Sequence, residues 1–165
     1  MSEAPHGDLD SQPGEDPRAT SAQQAPGGDS YTWYRRGLDL LGRGSPAAAA
    51  QLLERAAEAE PGARSVLEAL GRAQFDTGRY AQAADSFRQI VEASPSDDYA
   101  HFGLGLALAR SGDPAAAAEH LALAAAMRPE LRHYTEALRG VRATLRARAQ
   151  ASAPDSADPA SEQPR

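Results

Sequence analysis

The sequence predicts an all-α fold in which three helix–turn–helix units stack on one another and a further helix covers the end of the stack. Three observations predict it. A set of glycine, alanine, apolar and proline positions recurs with a period of about 34 residues along the middle of the chain. The segments between these positions have helical periodicity or high helix propensity, and no segment is predicted to form a strand.

The repeat is best preserved between Asp98 and Leu131. Each unit carries two glycines, an alanine and a proline in register, with large apolar residues between them. The alanines mark positions where helices approach closely, because only a small side chain permits such an approach. The markers are Leu104, Gly105, Gly112, Ala117, Leu121 and Pro129; Leu70, Gly71, Gly78, Ala83, Phe87 and Pro95; and Gly37, Gly44, Ala49, Leu53 and Pro61.

Local signals predict where the helices begin. Asp29 or Ser30 can cap a first helix from Tyr31 to near Gly44. Ser45 and Asp113 each precede a proline, and a polar N-cap followed by proline at the first helical position is a start signal. The predicted units are 30–63, 64–97 and 98–131, with second-unit helices near 65–77 and 80–93.

A cap helix is predicted over residues 132–149. Its apolar positions follow a 4-3-4 spacing, which gives a stripe on one side of the helix, while its arginines project to another side. Repeat stacks need such a cap to cover their open apolar end. The arginines are interpreted as a solvated face, with docking of an acidic partner or RNA as the alternative. The two sets are Tyr134, Leu138, Val141 and Leu145, and Arg132, Arg139, Arg142 and Arg146.

The two ends of the chain are predicted to be disordered tails, at 1–29 and 150–165. They are rich in proline and acidic residues, and all nine aromatic residues lie between Tyr31 and Tyr134. The net charge of −6 divides into −5, +1 and −2 for residues 1–29, 30–149 and 150–165. An almost neutral repeat module with acidic tails does not suit a duplex-binding protein, which needs a concentrated basic surface, and a nucleic acid is not the expected partner. The acidic tails are expected to maintain solubility.

Composition limits the chemistry and the compartment. The chain has no cysteine, which excludes disulfides and thiolate catalysis. It has no N-terminal signal pattern, and no apolar run approaches the length of about 18 residues that a membrane span needs. A secreted or membrane-spanning protein is therefore not expected, and the cytoplasm is the default. Two further features, the absence of lysine among the 17 basic residues and the abundance of alanine, are attributed to compositional bias.

These residues resemble the tetratricopeptide repeat family, whose pattern is W-x2-L-G-x2-Y, then A-x3-F, then P. The resemblance covers residue 30 to about residue 150, and the departures are Arg36, Gln74 and His101 at the Leu, Tyr and Trp positions. Besides the shared markers, the pattern is carried by Trp33 and Leu40, by Leu67, and by Leu108. The resemblance implies a right-handed superhelix whose first helices line a concave groove that binds peptides or helices.

The implied groove is rich in aromatic side chains. Five of the nine aromatic residues fall on it, and exposed apolar surface usually marks an interaction site. The alternatives are that some rings pack under a neighbouring helix or that the N-terminal tail folds back over them. Arg72 and Arg110 are candidate groove cations. The alternative pairs them with Glu68 and Asp76, and Glu68 and Arg72 have the i,i+4 spacing of a pair within one helix. The implied lining is Tyr31, Tyr34, Leu38, Leu41, Ser65, Glu68, Arg72, Phe75, Tyr99, Phe102, Leu106 and Ala109.

One family function is not expected. Chaperone-binding members hold a C-terminal carboxylate with a clamp of Lys, Asn, Asn, Lys and Arg. None of these residue types stands at the matching positions, so a chaperone tail of this type is not an expected partner. The positions hold Tyr34, Leu38, Ala69, Tyr99 and Gly103.

No catalytic, metal or cofactor site is predicted. No two of the four histidines share the i,i+4 spacing of a helical metal pair. His101 is expected between helices and His120 on an outer face. The expected function is a protein-interaction adaptor with an unidentified protein or peptide partner. The alternatives are a self-associating structural module and a small three-repeat secretion chaperone. The Pro-rich N-terminus argues against the secretion chaperone.

Overall fold

The computed structural model describes residues 29–152, so the predicted tails fall almost wholly outside the described residues. Within this range the chain forms seven α-helices and no strand. The predicted helix 80–93 has these bounds, and the other repeat helices begin and end within two residues of the predicted signals. The helices are α1 Ser30–Gly42, α2 Pro46–Ala59, α3 Arg64–Asp76, α4 Tyr80–Ala93, α5 Asp98–Ser111, α6 Pro114–Met127 and α7 Arg132–Ser152.

The helices form two layers of a solenoid. Each helix packs against the next one in sequence, and α1, α3, α5 and α7 also contact one another in order. Short connections make neighbouring helices antiparallel, so alternate helices run in the same direction. The inner layer is therefore α1, α3, α5 and α7, and the outer layer is α2, α4 and α6. The all-α repeat architecture predicted from the sequence period is confirmed.

Aspartates begin three of the helices. The carboxylate of Asp29 accepts a hydrogen bond from the Thr32 amide at 2.8 Å, and those of Asp97 and Asp113 accept from the Ala100 and Ala116 amides at 2.9 and 3.0 Å. These bonds satisfy amides that have no partner within the helix. Ser45 stands at the predicted N-cap position and Pro46 is the first residue of α2, but the Ser45 hydroxyl makes no capping hydrogen bond.

The turn within each helix pair contains a glycine in the left-handed region. Gly44, Gly78 and Gly112 have φ of 72°, 78° and 101°, and they occupy the same position in the three repeats. In this conformation a Cβ would lie too close to the following carbonyl oxygen. Glycine therefore occupies this turn position in all three repeats.

Close helix crossings hold the two layers together. A Cβ added at Gly37, Gly71 or Gly105 would lie 2.6–2.8 Å from a side-chain carbon of the outer helix, at Leu53, Phe87 and Leu121 respectively. The three outer residues are at most 2% exposed. The large outer residue therefore fills the space that a side chain at the glycine would occupy. This arrangement repeats in all three helix pairs.

Helix α7 covers the last pair. Tyr134 and Leu138 are buried against α6, and Val141 and Leu145 are half-buried, which confirms the predicted stripe. The Tyr134 hydroxyl donates a 2.9 Å hydrogen bond to Asp98 at the start of α5. Burial, and then this hydrogen bond, raise the pKa of Tyr134. The helix continues to Ser152, three residues beyond its predicted end.

The seven helices of the described range also differ from membrane spans. None of them combines the length and the apolar character that crossing a bilayer requires.

Alanine substitution at two glycines tests the crossing geometry. We expect Gly105→Ala to lower the free energy of unfolding by about 1–3 kcal/mol, because the new Cβ would lie 2.6 Å from Leu121 and 3.1 Å from the Ala117 carbonyl oxygen. Gly140→Ala is the matched control, since its Cβ would meet nothing within 4 Å. It should raise stability by up to about 1 kcal/mol through helix propensity.

Urea unfolding followed by circular dichroism measures both variants. Equal effects of the two substitutions would contradict the assignment of Gly105 to a close crossing.

Candidate functional site

A cavity of about 200 Å³ lies between the inner helices α3 and α5. Five of its lining residues are among those the sequence placed on the groove, and two of them, Arg72 and Phe75, come from α3. The buried ring of Phe87, from the outer helix α4, also lines it. The full lining is Arg72, Phe75, Asp76, Phe87, Tyr99, Phe102, Gly103 and Leu106.

Gly103 opens the cavity toward Phe87. A Cβ at this position would lie 2.6 Å from two carbons of the Phe87 ring, so no larger residue fits without displacing the ring. The equivalent position one repeat earlier is Ala69, which is 3% exposed. The missing side chain leaves the inner surface of the third repeat recessed where the second repeat has a methyl group.

Two charged residues of α3 accompany the aromatic lining. Arg72 and Asp76 are exposed, and Arg72 makes no ion pair within 4 Å in the part of the chain that the structure describes. Arg110 lies over the rings of Phe75 and Tyr80, 5.9 and 5.8 Å from their centroids, at the distance of a cation–π contact. The cavity therefore has aromatic walls and, at its edge, Arg72 and Asp76, neither of which forms an ion pair with another described residue.

The alternative pairings of Arg72 with Glu68 and of Arg110 with Asp76 are not among the ion pairs of the described residues. Glu68 instead pairs with Arg64 at 3.1 Å, and Arg64 also pairs with Asp97. Burial would raise the pKa of Asp97, but hydrogen bonds from Arg64 and the Ala100 amide outweigh it and hold the pKa below its ordinary value. Arg64 of α3 therefore pairs both with Glu68 and with the N-cap residue of α5, and Arg72 remains available for other contacts.

The tyrosine in the cavity is affected by its surroundings. Partial burial raises the pKa of the Tyr99 hydroxyl, and the nearby Arg72 opposes this shift in part. Tyr99 is therefore neutral near pH 7 and can act both as donor and as acceptor. Its ring packs edge-on against Phe87 at 6.3 Å between centroids.

The predicted groove residues of the first repeat lie apart from the cavity. Tyr34, Leu38 and Leu41 are half-buried and pack against a core cluster of α2 and α3. Tyr31 is 63% exposed at the start of α1. The structure thus brings together five groove positions of the second and third repeats, while three of the four from the first repeat contribute to packing.

Phe102 belongs both to the cavity and to the contact between α5 and α7. It lines the cavity, and its ring also stacks on Tyr134 of α7 with centroids 4.4 Å apart and planes inclined by 23°. The sequence alternatives of groove exposure and packing under a neighbouring helix therefore both hold for this residue. It forms a wall that the cavity and the cap helix share.

Three lining residues were not predicted as site residues. They are Asp76, Phe87 and Gly103. Phe87 is one of the repeat markers, and it reaches the cavity because Gly103 has no side chain. A glycine on the inner face of a helix, where the preceding repeat has alanine, is the sequence signal that could have indicated the recess.

Two histidines meet between α5 and α6. His101 is 4% exposed and its Nε2 donates to the Pro95 carbonyl at 3.0 Å, so its Nδ1 accepts from His120 Nδ1 at 3.0 Å. His101 packs between helices as predicted. The prediction for His120 is wrong, because its ring is half-buried against His101 and does not lie on an outer face.

The same groups do not form a metal centre. Within residues 29–152, no three His, Cys, Asp or Glu side chains converge as a metal ion would require.

The fold and the inner face define the chain as a helical-repeat protein. The family model described as Tetratricopeptide repeat matches residues 34–98 and 69–131, which together span more than half of the chain. The chain therefore belongs to the tetratricopeptide repeat family. No curated protein matches this sequence significantly.

Solved structures with the same fold include a peptide complex. The first repeat domain of Spaghetti (RPAP3), bound to the HSP90 peptide SRMEEVD, is 17% identical with a TM-score of 0.66, covering 71% of this chain and 93% of that one. The Sgt2 domain from Aspergillus fumigatus is 18% identical with a TM-score of 0.69, covering 78% and 87%. YrrB, described as having an unusual peptide-binding site, is 21% identical with a TM-score of 0.64, covering 68% of this chain and 58% of its own.

The histidine pair predicts a pH-dependent stability. Burial, and then the neighbouring His101, lower the pKa of His120, with Arg88 of α4 acting in the same sense and Glu119 opposing. A folded-state pKa below the ordinary value of 6.5 means that the unfolded chain binds more protons. The contribution of His120 is complete above that pH and is lost as the pH falls through the folded-state pKa.

Replacing His120 tests this effect. We expect His120→Gln, which can still donate to His101, to flatten the decline in unfolding free energy between pH 7 and pH 5. His133→Gln removes an exposed histidine of α7 and serves as the control. Parallel pH profiles for wild type and His120→Gln would contradict the prediction.

Proposed function

We propose that this protein is a non-catalytic adaptor or scaffold whose inner face binds an extended or helical segment of a partner protein. The observation that carries the proposal is the cavity between α3 and α5. It combines aromatic walls with Arg72, which forms no ion pair with another described residue. Membership in the tetratricopeptide repeat family, and a structural neighbour solved with a peptide, support it. The compartment that we propose is the cytoplasm.

The cavity favours a partner segment with one large apolar side chain. About 200 Å³ accommodates one such group, and burying it removes apolar surface from water on both partners. Arg72 stands where a carboxylate next to that side chain would be paired. The remaining predicted groove residues contribute shape rather than charge, except Glu68 and Arg110, whose partners are within the protein. A clamped chaperone tail is not the partner that we propose, because no clamp residue type stands at the matching positions.

A displayed library of random peptides, selected on the full-length protein, supplies ligands for the test. We expect selected peptides to contain an apolar or aromatic anchor near an acidic residue. Arg72→Ala should weaken their binding several-fold, which corresponds to about 1 kcal/mol for one exposed ion pair. Leu106→Ala should weaken it further, by about 1–2 kcal/mol, through lost apolar contact.

Arg55→Ala is the matched control, because Arg55 is exposed on the outer helix α2 and lies away from the cavity. Isothermal titration calorimetry measures the affinities, and thermal melts verify folding. Peptides that bind the Arg72 and Leu106 variants as tightly as the wild type would place the site elsewhere.

Self-association is a second candidate, favoured by the outer face of α6. Leu123 and Met127 are 46% and 36% exposed there. At the position of Leu123, the two earlier repeats have Arg55 and Gln89. An exposed apolar side chain where the other repeats are polar is typical of an interface.

Sedimentation velocity across concentrations tests this second candidate. We expect a concentration-dependent increase in the sedimentation coefficient, which Leu123→Gln combined with Met127→Gln abolishes. A strict monomer at every concentration would reject it and leave the adaptor proposal unaffected.

A further inference from the structure

The C-terminal helix carries an exposed stripe of arginines. All five arginines of α7 are exposed, and none of them forms an ion pair with another described residue. Five other arginines of the described range do form ion pairs. The five of α7 are Arg132, Arg139, Arg142, Arg146 and Arg148.

Four of these arginines share one side of the helix. At 100° per residue, Arg132, Arg139 and Arg146 step by only about 20° each, and Arg142 lies within about 80° of Arg132. The stripe is about 21 Å long at 1.5 Å per residue. It lies to one side of the buried stripe that contains Tyr134 and Leu138, so packing against α6 does not cover it.

The charges of the chain are segregated along the sequence. Helix α7 has five arginines and Glu136, a net charge of +4, whereas residues 29–131 have ten arginines and fourteen acids, a net charge of −4. Residues 1–28 have five acids and one arginine, which is also −4. The most acidic segment outside the described range therefore equals α7 in charge and has the opposite sign.

We propose that the arginine stripe of α7 is the docking surface for this chain's own N-terminal segment, residues 1–28. Its carboxylates pair with the guanidinium groups, which are always charged and donate to two carboxylate oxygens side by side. The segment 153–165 has half the net charge, −2, and fits the stripe less well.

The connection is long enough for this contact. The segment joins the helices at Asp29, the N-cap of α1, and α1 and α7 begin at the same edge of the inner layer. The distance from α1 to α7 is three spacings between neighbouring inner helices. At about 8–10 Å each, these amount to roughly 30 Å. The chain from Asp16 to Asp29, about 13 residues, reaches about 45 Å when extended.

Covalent attachment favours this occupant over a separate acidic molecule. A segment on the same chain is present at an effective concentration in the millimolar range, at which individually weak ion pairs suffice. A nucleic acid fits the observations less well, because the protein carries −6 overall and the stripe contains no aromatic side chain on which a base could stack.

The absence of cysteine permits a direct test on the full chain. A nitroxide on Ser11→Cys should broaden the α7 backbone amide signals of ¹⁵N-labelled protein at low salt, so that they lose most of their intensity. At about 1 M salt, where the Debye length is about 3 Å, the intensity should return. The triple variant Arg139→Gln, Arg142→Gln, Arg146→Gln should abolish the broadening.

The matched control removes three other exposed arginines that form no ion pair with described residues, Arg35, Arg36 and Arg55. Its broadening should equal that of the wild type, and thermal melts verify that both variants fold.

Four results would overturn the proposal. They are unchanged α7 signals at low salt, equal loss of broadening in both triple variants, broadening that arises only between mixed labelled and unlabelled copies, and broadening from Ser161→Cys without any from Ser11→Cys. The third would assign the stripe to a second copy and the fourth to the C-terminal segment. Unchanged signals together with arginine-dependent binding of a single-stranded RNA probe would assign it to nucleic acid.

Discussion

The close crossing of paired helices is the constraint on which the rest of the structure depends. In each pair a glycine on the inner helix faces a large apolar residue on the outer helix, as Gly105 faces Leu121. Protein interiors pack at the density of organic crystals. The glycine and the large side chain must therefore occur together, because the side chain needs the space and would otherwise leave it empty. The positions of the inner helices α1, α3 and α5 follow from this contact, and so do the faces that they present to solvent.

The candidate site arises where the third repeat departs from the second. Gly103 stands where the second repeat has Ala69, and the ring of Phe87 then reaches the inner surface. Residues that serve the core elsewhere thus become cavity walls at one place. The repeat supplies the frame, and a difference of one methyl group provides the recess.

Most of the fold could be predicted from the sequence, because the signals are local. Proline, glycine and aspartate mark the helix ends through conformations and hydrogen bonds that involve only a few neighbouring residues, and the apolar stripe of Tyr134 and Leu138 follows from helical periodicity alone. The contacts of the candidate site are less local. Glu68 has an arginine four residues away on each side, and Arg64 pairs with it in the structure while also contacting Asp97, which only the folded chain brings near. His101 and His120 are far apart in sequence, and their contact depends on how α5 and α6 cross.

The stacking of Phe102 on Tyr134 connects two parts of the structure, the cavity and the terminal helix. Phe102 belongs to the wall of the cavity, whereas Tyr134 anchors α7 through its ring and its hydrogen bond to Asp98. A ligand that orders Phe102 would stabilise the docked position of α7, and by thermodynamic reciprocity a firmly docked α7 would raise the affinity for that ligand by the same factor. One aromatic contact therefore joins the wall of the recess to the helix that covers the core.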